Sequence, residues 1–421
     1  MPYSVLRLLA AVGLMTIGSG AMYIVVVVLP MVQQEFGVNR ADASLPYTLT
    51  MLGFGFGGIL MGRLADRVGV FWPVVIGILG LSSGYWISAM AGSLTGFAIA
   101  HGVLLGLAGS SATFAPLVAD ISLWFHRRRG IAVAIVASGN YIAGAIWPPI
   151  MQHFSATYGW RATYSGFALF TLLTMLPLAV LMLRRAPADA EAVAANAAAA
   201  APSAAGMASP VFRPQGRSPQ ELLGISSASL QGLLLVAGVA CCVAMSMPQV
   251  HIVAYCGDLG YGAAAGARML ALMLACGIVS RLVSGVICDR IGGLRTLLLG
   301  SVLQGLSLML FLPFDSLASL YIISALFGLV QGGIVPAYAI IVREFFDVRE
   351  AGVRVGLTLT ATLVGMALGG WLSGAIFDWT GSYEAAFVNG IGWNLLNGSI
   401  VLFLLLRQRR WRGLQAAGHP A

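Results

Sequence analysis

Residues 275–290 read ACGIVSRLVSGVICDR, and Arg281 stands there alone, in a run otherwise apolar and small, well before the next charge at Asp289. A guanidinium is permanently charged and offers a planar fork of donors that fits a carboxylate, so the chemistry it suggests is the holding of an anion. Nearby in sequence, SMPQVHIVAYCGDLGY places His251 and Tyr255 one helical turn apart on one face. His251 titrates close to neutral pH, which makes it the candidate for taking up a proton or for hydrogen-bonding a substrate; the alternative is a histidine at an outer helix end, satisfied by backbone or water. Enzyme motifs are missing: there is no H-E-x-x-H helix and no G-x-S-x-G elbow. All 23 basic Lys/Arg residues are arginine, so no Walker A lysine exists and the chain is not a conventional ATP-driven pump. The five cysteines fit no metal-ligand spacing and read as small packing residues. We therefore expect no catalytic residue, no metal, no cofactor and no nucleic-acid partner.

These groups need a frame. The chain has 421 residues, is 59% hydrophobic and only 9% charged, whereas a soluble domain is nearer half apolar and a quarter charged. Its apolar residues come in blocks of about twenty, enough for a helix to cross a hydrocarbon core of ~30 Å. The first block, from near Leu8 past Val28, lacks a small-residue cleavage site and reads as a transmembrane helix rather than a removed signal. Spans are expected at 8–31, 43–61, 72–91, 95–123, 131–152, 162–183, 228–254, 264–287, 295–313, 317–342, 353–377 and 385–406. Residues 184–227, rich in Ala, Pro and Ser, cannot bury a core and read as a linker. Arginine-rich loops at HRRRG (126–130), LRR (183–185), REFFDVREAGVR (343–354) and RQRRWR (407–412) fall on one side, against only Arg40, Arg161 and Arg268 on the other. The bias makes the chain multi-pass with both termini cytoplasmic.

The two halves repeat. GRLADRVG (62–69) and GVICDRIG (285–292) share G-x-x-x-D-R-x-G, GLAGSSATFAP (106–116) parallels GLVQGGIVPA (328–337), and YGWRATY parallels WTGSYEAAF around Gly159 and Gly381. Two copies of six spans form two bundles facing one another across a cavity. On the doubled hairpin motif and the central linker, the chain resembles the major facilitator superfamily over essentially its whole length. The resemblance implies an all-α membrane protein of twelve transmembrane helices in two six-helix bundles. The N-terminal bundle covers 1–183, the cytoplasmic linker 184–227, and the C-terminal bundle with a short basic tail 228–421. The motif's usual basic pair after the last glycine is replaced here by Val70–Phe71.

At the cytoplasmic rim the hairpins read as gate parts: Gly62 and Gly285 for close helix approach, with Asp66, Arg67, Asp289 and Arg290 as the charges. Asp66 is expected to accept from the positive N-terminus of the eleventh helix, and Arg67 to pair with Asp120, in a cluster that favours the outward-open state.

Arg281 lies about 12 Å along its helix from the rim at Asp289, close to the midplane, where an arginine costs at least ~2.5 kcal/mol on insertion scales. It is held either by a buried carboxylate or by a substrate anion. The spans contain no acid near mid-depth, which favours the substrate. P-x-x-H-x-x-x-Y before the D-L-G turn, RRRGIAVAIVASGNYIAG, GWRATY and EFGVNRADAS resemble the monocarboxylate-transporter branch, especially its bacterial members, and the related oxalate–formate exchangers. That resemblance implies that Arg281 binds a carboxylate in a cell inner membrane, in a carrier that functions as a monomer. It also shows departures: Gly277 stands where animal members have an aspartate, and no cavity lysine is present. One cavity cation favours a monoanion.

Weaker candidates share helix faces: Tyr23 with Thr16 and Gly20, Asn140 with Gly144 and Pro148, Gln331 with Tyr338 seven residues on, and Thr358 with Thr362. Tyr23, Asn140, Tyr141, Gln331 and Tyr338 are taken with Arg281, His251 and Tyr255 as the substrate-binding set; His101 reads as a packed helix histidine. The expectation is a secondary carrier, working by alternating access, that takes up a small organic monoanion with a proton. The same fold carrying a larger aromatic or near-neutral metabolite, or acting as a transporter-like sensor, stays open.

Overall fold

The structure is a computed structural model and describes residues 3–125, 129–184 and 223–416. Most of the expected linker (185–222), residues 126–128 of the basic loop and the last five residues of the chain lie outside that description. Among the described residues there is no strand.

Twelve helices have the length and apolarity to cross a membrane. They are α1 Tyr3–Phe36, α2 Arg40–Val68, α3 Phe71–Met90, α4 Leu94–Trp124, α5 Gly130–Tyr158, α6 Trp160–Val180, α7 Ser227–Asp258, α8 Ala263–Ile291, α9 Gly293–Leu310, α10 Leu317–Phe345, α11 Glu350–Thr380 and α12 Tyr383–Trp411. Several start on a side-chain cap that satisfies an otherwise orphaned backbone amide. Asn39 accepts from Asp42 N at 2.7 Å, Ser226 from Ser229 N at 3.1 Å, and the repeat mates Ser93 and Ser316 do the same for α4 and α10. The last glycine of each hairpin motif has positive φ, 86° at Gly69 and 83° at Gly292. It ends its helix in a conformation that a side chain would resist.

Each half buries its own apolar faces. One core draws only on residues between Ala10 and Met182; the other runs from Leu223 to Leu405 and takes in Met22, Tyr47, Met51 and Tyr141 from the first half. The even number of crossings brings both ends of the chain to one face, called here the terminal rim; the opposite face is the distal rim.

Three spans are interrupted near mid-depth. α1 breaks at Ser19, between Tyr3–Gly18 and Gly20–Phe36. α4 passes from α-helix through a π-helical stretch, Ala100–Gly109, and a 3-10 turn, Ser110–Thr113, before resuming at Ala115. α10 breaks between Gln331 and Ile334, at the place the repeat makes equivalent to the α4 break. Ser110 Oγ donates to the Gly18 carbonyl at 2.7 Å, so the α1 and α4 breaks rest on each other.

Candidate functional site

Arg281 projects from α8 across the boundary between the bundles to α5. Its Nη1 donates to the Ala137 carbonyl at 3.3 Å, and its guanidinium carbon sits 4.6 Å above the Tyr141 ring. The cation–π contact returns about 1–2 kcal/mol of the desolvation cost. Nε is buried without a partner, and no carboxylate lies within salt-bridge distance among the described residues. The guanidinium thus has a ring and a carbonyl beside it rather than an acid, among the described residues.

Two more helices complete the surroundings. Tyr23 of α1 donates to Asn140 Oδ1 of α5 at 2.8 Å, and Asn140 Nδ2 turns to Met22 Sδ at 3.7 Å. Tyr141 fits because α8 has no side chain at residue 277. A Cβ on Gly277 would lie 2.5 Å from Tyr141 Cε1, so the ring fills the space one turn from Arg281 where an acid would otherwise stand. α10 closes in behind through its break: a Cβ on Gly332 would lie 2.9 Å from the Arg281 amide nitrogen, and Gly332 N donates to Ser280 Oγ at 3.1 Å. Arg281, Tyr141, Asn140 and Tyr23 thus form one site: a guanidinium with unused donors, an aromatic floor and a hydroxyl–amide pair.

The remaining expected site residues lie elsewhere. Tyr338 is fully buried inside the second half, donating to Asn397 Oδ1 at 2.8 Å, while Asn397 Nδ2 donates to Ser301 Oγ at 2.7 Å. It is a packing residue between α10, α12 and α9, which corrects its place in the substrate set. Gln331 is also buried; its Oε1 accepts from Gln249 of α7 at 2.6 Å and its Nε2 has no partner. Gln249 was not anticipated; only its position two residues before His251 could have pointed to it.

His251 and Tyr255 belong to the distal rim. His251 is fully buried, with Nε2 2.8 Å from the Gly370 carbonyl and Nδ1 3.1 Å from the Tyr383 hydroxyl. A carbonyl only accepts, so Nε2 carries the proton and Nδ1 accepts from Tyr383. Tyr255 stacks edge-on against Tyr383 and Phe387. The same Tyr383 hydroxyl receives Arg40 Nη1, and Arg40 Nη2 binds Asp258 at 2.7 Å. The amides of Arg40 and Ala41 donate to the two oxygens of Asp378 at 2.9 and 2.8 Å, so an α11 carboxylate caps the start of α2 across the bundle boundary. Arg40, read from sequence as a loop charge, is the hub of this network. Thr48 adds a further link from α2, to the Ala367 carbonyl at 3.1 Å.

At the terminal rim the expected Asp66–Arg67–Asp120 cluster is absent. Asp120 is gripped by the Arg7 fork, at 2.8 and 2.7 Å; Arg7 is 1% exposed and also binds the carbonyls of Leu181 and Arg184 at 2.9 Å each. The α1 arginine takes the acid: its buried fork meets both carboxylate oxygens, whereas Arg67 lies at the exposed end of α2. Asp66 and Arg67 are exposed without a partner among the described residues, as are Asp289 and Arg290. Gly62, expected to admit a close neighbour, has nothing within 4 Å of where its Cβ would be; Gly285 is partly exposed. His101 is packed as expected, between the Phe97 carbonyl and the Tyr164 hydroxyl. Thr358 and Thr362 donate to carbonyls of their own helix.

Comparison with known proteins agrees with this architecture. The chain is 27% identical over 373 residues to monocarboxylate transporter 13 of Rattus norvegicus, covering 86% of this chain and 78% of that protein. It is 25% identical over 364 residues to the MFS-type transporter pynF of Aspergillus niger, covering 85% and 77%. Among solved structures, the nucleoside transporter NupG superposes with a TM-score of 0.72 at 11% identity, covering 96% of this chain and 99% of that one. A bacterial homolog of the human lysosomal transporter Spinster, in an inward-facing and occupied conformation, gives 0.64 at 16% identity, covering 99% and 97%. The family model described as Major Facilitator Superfamily matches residues 9–317 and 269–420, and with twelve spans in two six-helix bundles the chain belongs to that superfamily of transporters.

Proposed function

We propose that the chain is a secondary active carrier of a small organic monoanion, a monocarboxylate or a close chemical equivalent, moved with a proton by alternating access. The observation that carries the reading is Arg281: a cation near mid-depth whose Nε has no partner and which no carboxylate neutralises. A carried carboxylate would supply the missing acceptors and restore local neutrality, and a single cation matches a single negative charge. Tyr141 holds the guanidinium in place, while Tyr23 and Asn140 provide polar contacts for the substrate's far end. A relative named as a monocarboxylate transporter supports the same substrate class.

In this reading the terminal rim is cytoplasmic and the membrane is a cell's inner membrane, supported by the arginine bias. The chain works as a monomer, its N-terminal bundle (1–183) rocking against the C-terminal one (228–421) about the 184–227 linker. The hairpin groups Gly62, Asp66, Arg67, Gly285, Asp289 and Arg290 meet the opposing bundle only when the cytoplasmic side closes.

The test is uptake of labelled lactate, pyruvate and oxalate into proteoliposomes. Wild type takes up the monoanions in preference to oxalate, Arg281→Ala loses that uptake, and Arg281→Lys keeps a part of it. Monocarboxylate uptake by Arg281→Ala at the wild-type rate would remove the reading. A second reading, a larger aromatic cargo, draws on the two tyrosines of the site and on a relative named as an agnestins efflux protein in Paecilomyces divaricatus. Competition of lactate uptake by aromatic acids and by uncharged aromatics separates the two.

A further inference from the structure

The two halves treat their matching acids differently. In the first half, Glu35 at the end of α1 pairs with Arg161 at the start of α6, at 2.7 Å, and Arg161 also holds the carbonyls of Ala89 and Ala91. The pair closes within one bundle. The repeat carries Glu35 to Asp258 at the end of α7, and Arg161 to Tyr383 at the start of α12. A tyrosine cannot neutralise the acid, and Asp258 is instead met by Arg40 from the other bundle.

We propose that Arg40, Asp258, Asp378 and Tyr383 form a clasp that shuts the distal rim, and that a proton taken up by His251 releases it. The donor inventory gives the reason. The Tyr383 hydroxyl has one hydrogen; it accepts from Arg40 Nη1 and donates that hydrogen in a bond to His251 Nδ1, while Nε2–H is committed to the Gly370 carbonyl. Protonation at Nδ1 sets a donor against the hydroxyl's own proton, and Arg40 has no lone pair to receive the displaced one. It also puts a second positive charge beside the guanidinium.

The charged groups within reach of His251 are Arg40 of α2, Asp378 of α11 and Asp258 of α7, with Tyr383 of α12 in direct contact. With the clasp shut, both acids are engaged by α2. With it open, both lose Arg40 and the α2 amides and are left facing the imidazolium. The proton therefore binds the distally open state more tightly than the closed one, and by linkage it shifts the population toward opening. The clasp deepens the carrier reading by giving the proton a place and a direction of action, but it does not depend on the cargo.

The experiment uses the full chain with its five native cysteines replaced by alanine and spin labels on Tyr158→Cys and Trp379→Cys, two exposed positions at the distal ends of α5 and α11. Distances are measured in nanodiscs without any substrate. Lowering the pH from about 8 to about 5 is expected to raise the long-distance population about tenfold. Arg40→Gln should show long distances at both pH values, with Asp378→Asn as the second variant if Arg40→Gln does not fold. His251→Gln and Tyr383→Phe should each lose the pH response. A response retained in His251→Gln, or a short distance retained in both Arg40→Gln and Asp378→Asn, would overturn the proposal. A wild-type response in a protein that carries no carboxylate would sink the cargo reading and leave the clasp standing.

Discussion

Arg7 and Arg281 are both cations inside apolar helices, and the structure uses them in opposite ways. Arg7 is sealed at the end of α1 with its donors committed to Asp120, Tyr3 and the carbonyls that close α6. Arg281 has a stacking ring, one long hydrogen bond and an idle Nε. Burial alone does not separate a structural arginine from a binding one. The count of satisfied donors does: a fully committed guanidinium fastens helices, and an uncommitted one keeps donors free for the anion proposed above.

The largest expected effect comes from breaking the committed site. Arg7→Ala leaves the largely enclosed Asp120 without its counterion and should cost about 3 kcal/mol of stability, read as a loss of folded protein in thermal unfolding, while molecules that do fold keep their anion affinity. Arg281→Ala should reverse that pattern. Thermal stability stays at or above the wild-type value, and carboxylate affinity falls by about 2–4 kcal/mol, roughly 30-fold to 1,000-fold, in titration calorimetry. If both variants lost stability equally, the contrast between the two sites would be gone. Gly277→Ala sharpens it: the added methyl presses on Tyr141, so about 1–3 kcal/mol of packing strain is expected, with weaker anion binding because the ring beneath Arg281 shifts. Tyr338→Phe is the smallest: about 1 kcal/mol lost with the Asn397 hydrogen bond and no change in uptake, in keeping with a residue that packs one bundle.

Hydropathy alone yields the twelve spans, because a chain in lipid must satisfy its backbone within each crossing. Arg281 was equally visible, since a charge in the middle of an apolar run has few innocent explanations. Arg40 and Arg7 were not, because each sits within the first two turns of its span, where an arginine reads as a rim charge. Asp120 was assigned to Arg67 for want of any signal giving the depth of α1 against α4. Tyr338 was misplaced for a clearer reason: its seven-residue spacing from Gln331 defines a shared face only along an unbroken helix, and α10 is interrupted at Gly332 and Gly333 between the two. His251 and Tyr255 do share a face, as read, but that face meets α11 and α12 rather than Arg281.

The same interruption bears on how the two rims can move. α4 and α10 each depart from regular α-helix at mid-depth, one in each bundle and at matching points of the repeat. In α4 the backbone bonds change from π to 3-10 to α across this point, and in α10 two glycines separate the helical segments, so the regular α-helical ladder is already altered where a bend would fall. Because Gly332 of the α10 joint lies directly against the backbone of Arg281, any bend at that joint moves the helix segment that carries the guanidinium.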